Sequence, residues 1–171
     1  MEMFLMAAIS RGGLSTLYAL QKSVKLQPGN LAPVIKRLQE CGFLTRSEAA
    51  KRQRKVMKLT EPGETFLKEY WNQSLEFDRD FESSIRGVAL ALFMSDLEIA
   101  QDYSGRLASR REWEAAQTAP RMDAEGASPV EFYATMRAVH ENRRVAMEAA
   151  VFKEIEKSME EVVKNSKMKT R

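Results

Sequence analysis

Two clusters of cationic side chains stand close together in this chain and could bind phosphate groups. Lys36 and Arg37 form the first cluster, and the run KRQRK from Lys51 to Lys55 forms the second. Residues 22–58 carry 10 Lys and Arg against 2 Asp and Glu, whereas residues 73–171 carry 15 against 18. A positive field confined to one segment favours a phosphate backbone, because each neutralised phosphate releases condensed counterions. The alternative, that the run is only a solvated surface, stays open on composition alone.

Amide and hydroxyl side chains near the first cluster could read or position a nucleic acid. Gln27 and Asn30 flank Gly29 at the start of a predicted helix, and both amides could bond an adenine edge bidentately. Capping of that helix is the alternative role of Asn30. Ser15 and Thr16 stand at the start of the preceding helix, where each could contact phosphate or simply cap the helix.

The cations are expected to differ in their roles. Lys36 falls on the outer face of its helix, which favours a phosphate contact over base reading. Arg37 could contact DNA or pair on the surface with Glu40 or Glu61. In the second cluster an arginine could enter the minor groove, and the expected phosphate contacts there are Lys51, Arg52, Arg54 and Lys55.

The apolar pattern around these residues predicts three short helices, a hairpin and a fourth helix. Gly42 is expected to close the third helix in the left-handed conformation. Thr60 is expected to cap the fourth helix, with Glu64 reaching back to it. The predicted elements are helices over 2–10, 15–24 and 28–41, strands over 44–47 and 55–59, and a helix from 60 through 71. This order is typical of a winged helix-turn-helix, whose third helix enters the major groove and whose hairpin grips the backbone.

The segment from Leu26 to Phe43, LQPGNLAPVIKRLQECGF, resembles the motif LSPGTLYPALKRLExxGL of the PadR family of bacterial transcriptional regulators, relatives of MarR-type regulators. A second family motif, RRKYYxLTxxG, is matched by QRKVMKLTEPG from Gln53 to Gly63. The resemblance covers about residues 1–72 and implies a regulator that binds double-stranded DNA. Ala32 replaces the family's usual Tyr, and Gln27 and Asn30 replace small hydroxyl residues. The operator sequence therefore cannot be transferred from the family.

The remainder of the chain is predicted to be entirely helical. Helices are expected over 75–94 and 96–117, followed by a loop over 118–128 and a helix of roughly 35 residues that opens on a capping box of Ser128 and Glu131. Such a helix is too long for a small domain to cover, and in the PadR family the C-terminal helices form the dimer. We therefore expect a homodimer, alongside packing within the chain, through an apolar stripe of Phe132, Met136, Val139, Met147, Val151, Ile155 and Met159.

The predicted fold class is thus mainly α with a small β-hairpin wing: a winged helix-turn-helix over 1–72 and a helical dimerisation region over 73–171. The chain has one cysteine, no signal-peptide pattern and no long apolar run, so a cytoplasmic location is expected. Two other functions stay open: a winged helix that binds only protein, and a redox sensor acting through Cys41, although a small buried apolar role is favoured for this thiol.

No catalytic, metal or cofactor site is expected from the sequence. His140 is the sole histidine and has no cysteine nearby with which to share a metal, so an ordinary surface or interface role is favoured. Phosphate-binding glycine loops and a nucleophile paired with a base are not recognisable. A small-molecule effector pocket lined by Trp71, Tyr103 and Trp113 is left open, although aromatic residues at helical spacing are more often core.

Overall fold

A computed structural model describes residues 1–24, 28–47, 56–75, 80–118 and 128–169 of the chain. The predicted fold class, mainly α-helical with a small antiparallel hairpin, is confirmed. In chain order the elements are α1 (Glu2–Ser10), α2 (Leu17–Val24), α3 (Pro28–Glu40), β1 (Leu44–Arg46), β2 (Met57–Leu59), α4 (Glu61–Tyr70), a 3₁₀ turn (Asn72–Leu75), α5 (Phe81–Phe93), α6 (Leu97–Gln117) and α7 (Pro129–Lys169).

Helix α1 is the centre of the N-terminal core. Its residues from Phe4 to Ile9 are all buried, because α4, α5 and β2 pack around it. A helix that is apolar on all sides has to be enclosed in this way. The sequence predicted only one apolar face here, so the enclosure of α1 is a finding of the tertiary structure.

Helix α3 has one buried face and a well-defined end. Its inward residues, which recur at helical spacing, are Leu31, Val34, Ile35 and Leu38. At the end of the helix, Gly42 has a φ of +74° and donates to the carbonyl oxygen of Gln39, while Phe43 donates to that of Leu38. These two bonds form a Schellman motif, which satisfies the last carbonyl groups of the helix. The predicted left-handed closure at Gly42 is therefore confirmed.

The hairpin is short, and it is joined directly to α4. Strands β1 and β2 are antiparallel, with Leu44 opposite Leu59 and Arg46 opposite Met57. At the start of α4, the hydroxyl of Thr60 accepts a hydrogen bond from the Gly63 N–H at 3.1 Å and donates one to the carbonyl oxygen of Gly42 at 2.6 Å. The cap predicted at Thr60 is confirmed.

The role predicted for Glu64 is wrong. The Thr60 N–H donates to the carbonyl oxygen of Phe43 at 3.0 Å, so it is not available to a carboxylate that reaches back. The Glu64 carboxylate instead accepts hydrogen bonds from the Ser10 hydroxyl and from Arg11, at the end of α1. Glu64 thereby fixes α4 to α1.

The chain forms two compact units, Met1–Asp96 and Leu97–Arg171. Helix α5 begins after Asp80, whose carboxylate accepts from the Ser83 N–H at 2.8 Å, and it packs against α1. It therefore belongs to the first unit, whereas the boundary drawn from the sequence at residue 72 assigned it to the C-terminal region. Among the described residues, no helix is both long and apolar enough to cross a membrane.

The second unit is an antiparallel pair of helices. Contacts between α6 and α7 run in opposite directions along the chain, from Gln101 with Glu160, through Arg111 with Glu148, to Thr118 with Asn142. The inward apolar residues of α7 follow one another at steps of four, three and seven, which keep to one side of a helix: Val145, Ala149, Phe152 and Met159. The predicted capping box is confirmed, since Glu131 accepts from the Ser128 N–H at 2.8 Å and Ser128 accepts from the Glu131 N–H at 3.3 Å.

An ion-pair network is buried between α6 and α7. The guanidinium of Arg111 lies 3.2 Å from the Glu148 carboxylate and 2.7 Å from that of Glu114, and the side chains of Arg111 and Glu148 are only 10% and 8% exposed. Burial opposes the ionisation of Glu114, but hydrogen bonds from Arg111 and Arg110 outweigh it and lower the pKa of this carboxyl. Because a buried charge that loses its partner is costly, these pairs favour one register of α6 on α7.

Candidate nucleic-acid interface

The exposed side of α3 carries the polar residues singled out in the sequence. Gly29, Asn30, Lys36 and Arg37 are all exposed, outside the buried face of the helix. Pro33 lies within the helix and has no N–H, so the carbonyl oxygen of Gly29 lacks its intrahelical donor. Gln27, at the start of this helix, lies outside the described residues. An α-helix packed through one face in this way can offer the other face to a groove.

The two cations of α3 have different partners. The Lys36 ammonium lies 3.6 Å from the Glu40 carboxylate, one turn away, and both side chains are mostly exposed. Arg37 does not pair with Glu40 or Glu61, as considered from the sequence, because its Nε lies 2.6 Å from Oε1 of Glu2. The exposed side of α3 is thus joined to α1 through Arg37.

Thr16 and Ser15 support the helix-turn-helix through hydrogen bonds. The Thr16 hydroxyl accepts from the Ala19 N–H at 3.1 Å, which is the capping role left open above. The carbonyl oxygen of Ser15 accepts from the Met57 N–H at 2.7 Å and so joins the start of α2 to β2. Together these bonds fix the hairpin relative to α2.

The base of the hairpin adds two cations that the sequence reasoning did not assign to the interface. Arg46 on β1 and Lys58 on β2 are exposed, and Thr45 opposite Lys58 is exposed as well. The alternation of side chains along β2 could have identified Lys58, because the residue next to a buried Met57 in a strand points to the opposite, solvent-facing side. The cations predicted at the tip, Lys51, Arg52, Arg54 and Lys55, lie outside the described residues.

Cys41 is exposed, so the small buried apolar role favoured from the sequence is wrong. It precedes Gly42 in the Schellman turn between α3 and β1. His140 is also exposed, on α7. In the described part of the chain, no three His, Cys, Asp or Glu residues are grouped so that they could hold a metal ion.

The three aromatic residues considered for an effector pocket differ in their exposure. Trp71 in the first unit and Tyr103 in the second are buried, at 9% and 6% exposure. Trp113 on α6 is 64% exposed. Burial of Trp71 and Tyr103 within their cores matches the alternative that these aromatic residues contribute to packing.

Comparison with known proteins adds one distant similarity. No protein-family model and no curated protein matches the chain. Among solved structures, the chain is similar to one described as the crystal structure of Bacillus subtilis PadR in complex with operator DNA, with 18% identity over 89% of this chain and 97% of that chain. The TM-score of 0.30 is too low to support an inference from that protein.

Proposed function

We propose that this chain is a sequence-specific, DNA-binding transcriptional regulator that represses transcription as a homodimer on a palindromic operator. The observation that carries the proposal is α3, which packs through Leu31, Val34, Ile35 and Leu38 and exposes its polar face. A helix held in this way fits the major groove, which is about 12 Å wide.

The described residues support distinct roles at such an interface. Asn30, near the start of α3, is suited to bond a base edge, because its amide offers both a donor and an acceptor. Lys36, Arg46 and Lys58 are exposed cations suited to phosphate contacts, which fix register without reading sequence. The tip cations and Gln27 complete the proposed surface.

The decisive experiment compares salt dependence. Bound duplexes are first selected from a random pool, and the affinity of the best one is then measured between about 50 and 200 mM salt. Replacement of Lys51, Arg52 and Arg54 by Ala is expected to weaken binding and to make the slope of log K against log salt shallower by about 2–3. A matched control replaces three exposed cations elsewhere, Lys68, Arg106 and Lys157, and should leave the slope unchanged.

The same measurements separate the two alternatives. A winged helix that binds only protein would show no duplex affinity in the unmodified chain, while its partner binding would survive the triple replacement. A redox sensor would lose duplex affinity on mild oxidation, and Cys41→Ser would abolish this loss without altering the fold. The exposure of Cys41 makes the second comparison practicable.

We further propose that the copies associate through the face of α7 that points away from α6. By helical periodicity this face carries Tyr133, Met136, His140, Arg143, Met147 and Val151. Tyr133, Met136 and Met147 are 63%, 52% and 70% exposed, and Val151 is 38% exposed. Along the helix this face carries two apolar residues, then two polar residues, then two apolar residues. The sequence of apolar and polar positions is therefore the same when it is read from either end. An isologous dimer needs such a self-complementary pattern.

The predicted dimerisation stripe divides between two faces of α7. Met159 is buried, Val139 and Ile155 are half-buried, and Phe132, Met136, Met147 and Val151 are exposed. Each step of four residues rotates the side chain by about 40° around the helix, so a series spaced only by four winds from one face to another. The proposed interface therefore keeps the exposed members of the series and leaves Met159 within the chain.

A charge exchange tests the proposed pairing. In an antiparallel arrangement centred between His140 and Arg143, Met136 of one copy faces Met147 of the other. Met136→Glu or Met147→Lys alone should shift the protein toward monomer at micromolar concentration in analytical ultracentrifugation. The double variant should recover the dimer, because each Glu then faces a Lys.

A control variant tests whether the effect of a new charge is specific to this face of α7. Ala146→Glu places the same charge on an exposed position beside this face and should leave the dimer intact. If the double variant stays monomeric while the single variants dissociate, the helices pair in parallel. If neither single variant dissociates, another surface forms the dimer.

A further inference from the structure

The outward side of α2 carries two hydrogen-bond donors one turn apart. Leu20 is fully buried on the inward side of this helix, whereas Tyr18 is 52% exposed and Lys22 is exposed as well. By helical periodicity Tyr18 and Lys22 each lie about 160° from Leu20 and about 40° from one another. Side chains four positions apart on a helix are neighbours, with Cβ atoms about 5–6 Å apart. The phenol and the ammonium can therefore contact the same extended ligand.

The start of α2 lies beside the hairpin that the candidate interface already includes. The Met57 N–H donates to the carbonyl oxygen of Ser15 at 2.7 Å, so the chain just before α2 runs along β2. Lys58 follows Met57 in the same strand and is exposed. The cationic surface at the base of the hairpin is therefore next to the start of α2. Tyr18 and Lys22 extend this surface along the helix.

The charges on α2 and on the two strands have a single sign. Together these three elements contain three Lys or Arg residues and no Asp or Glu. The described cations of α3, by contrast, each face a carboxylate, at 3.6 Å for Lys36 and 2.6 Å for Arg37. An anion that approaches α2 therefore meets no carboxylate of the same element. A surface of this kind favours a phosphate backbone.

We infer that Tyr18 and Lys22 bind phosphates of the DNA strand that borders the groove occupied by α3, Tyr18 by donating its hydroxyl and Lys22 as a cation. The inference rests on the proposed function and adds α2 to that interface. In a helix-turn-helix, the helix before the recognition helix crosses the backbone. Contacts to phosphate fix the register of a protein on the duplex without reading sequence. Tyr18 and Lys22 are therefore positioning residues that act on every duplex alike.

The two contacts differ in their dependence on salt, which fluorescence anisotropy titrations of the full chain can measure. Lys22→Ala should weaken binding of the selected duplex and make the slope of log K against log salt shallower by about 1, because one fewer phosphate is neutralised. Tyr18→Phe removes a neutral donor, so it should weaken binding about three- to tenfold and leave the slope unchanged. A duplex with a scrambled sequence should lose affinity by the same factors.

Two variants of α4 are the matched controls. Lys68→Ala and Tyr70→Phe make the same changes at exposed positions and should alter neither the affinity nor the slope. If the unmodified chain binds the duplex and a variant of α2 behaves like its control, the role of that residue is overturned while the proposed function stands. Weaker binding of the selected duplex alone, with the scrambled duplex unaffected, would assign base reading to α2 and overturn the phosphate contact. If the unmodified chain binds no duplex, the proposed function and the inference both fail.

Discussion

Arg37 on the exposed face of α3 is paired with Glu2, 35 positions earlier in the chain, with Nε 2.6 Å from Oε1. The side chains are 62% and 42% exposed, although the Oε1 atom of Glu2 itself is shielded from solvent. Exposed pairs of this kind contribute only about 0–1 kcal/mol. A phosphate that approaches α3 therefore competes with Glu2 for a guanidinium that is already oriented.

This competition makes a prediction at the residue scale. Glu2→Gln should raise the affinity for the selected duplex by up to about fivefold, because Arg37 no longer exchanges one anion for another. Glu82→Gln, which removes an equal charge from α5, is the control, since Glu82 pairs with Arg86 on its own helix. Anisotropy titrations of the duplex with each variant measure the two affinities. An equal gain in affinity for both variants would show that the effect comes from net charge alone.

Two glycines of the first unit should respond oppositely to substitution. Gly63→Ala is expected to destabilise the fold by about 1–3 kcal/mol in urea denaturation, because its Cβ would overlap the Phe43 carbonyl oxygen. Gly29→Ala meets no atom within 4 Å and lies in α3, so it should be neutral or stabilise by up to about 1 kcal/mol. A loss of duplex affinity in Gly29→Ala with the fold intact would show that DNA approaches this backbone closely. Equal stability of the two variants would contradict the close approach of α4 to Phe43.

At the scale of single elements, the chain starts its helices with local side-chain bonds. Thr16, Thr60, Asp80 and Ser128 each accept from an N–H three residues later. Such caps are readable from sequence because both partners lie within one turn. The caps at Thr60 and Ser128 were predicted, and capping was one of the two roles left open for Thr16. Asp80 was missed because this helix was expected to begin earlier, at residue 75.

The Asp80 cap predicts a pH dependence. The Ser83 N–H and hydroxyl hydrogen bonds stabilise the carboxylate and lower the pKa of Asp80 below its usual value. A group with a lowered folded pKa adds stability above its unfolded pKa, about 3.9, and that stability is lost as the pH falls through the folded value. The stability difference between the unmodified chain and Asp80→Asn should be constant from pH 7 to about pH 5 and shrink below that. Urea denaturation across this range measures it, and a difference that grew on acidification would contradict the assignment.

At the scale of the whole molecule, the length of α7 exceeds that of its partner. Helix α7 has 41 residues and α6 has 21, so at 1.5 Å per residue they span about 60 Å and 30 Å. Thr118, after the end of α6, already bonds Asn142. The first third of α7, with exposed Val130, Tyr133 and Met136, therefore extends beyond α6.

An association through α7 should make stability depend on concentration. If the folded state is a dimer, raising the protein concentration favours it by mass action, so the Tm should fall over a tenfold dilution series. Met136→Glu should lower the Tm and remove this dependence. A Tm of the unmodified chain that does not change with concentration would count against the dimer.

The sequence alone determined features that depend on neighbours along the chain. The inward face of α3, its Schellman closure at Gly42, the Thr60 cap and the Ser128–Glu131 capping box all involve residues within about six positions of one another. At that range the backbone geometry of a helix fixes which atoms can meet. The order of helices and hairpin, and hence the fold class, followed from these signals.

The tertiary structure decided the pairings between distant residues. Arg37 pairs with Glu2 and not with Glu40 or Glu61. Glu64 binds Arg11 at the end of α1 and does not bond back to Thr60. Helix α5 is part of the first unit. The long apolar series of α7 divided between a buried and an exposed face. Each of these outcomes depends on which helices become neighbours. Apolar spacing says that a face must be covered, but it does not specify which element covers it.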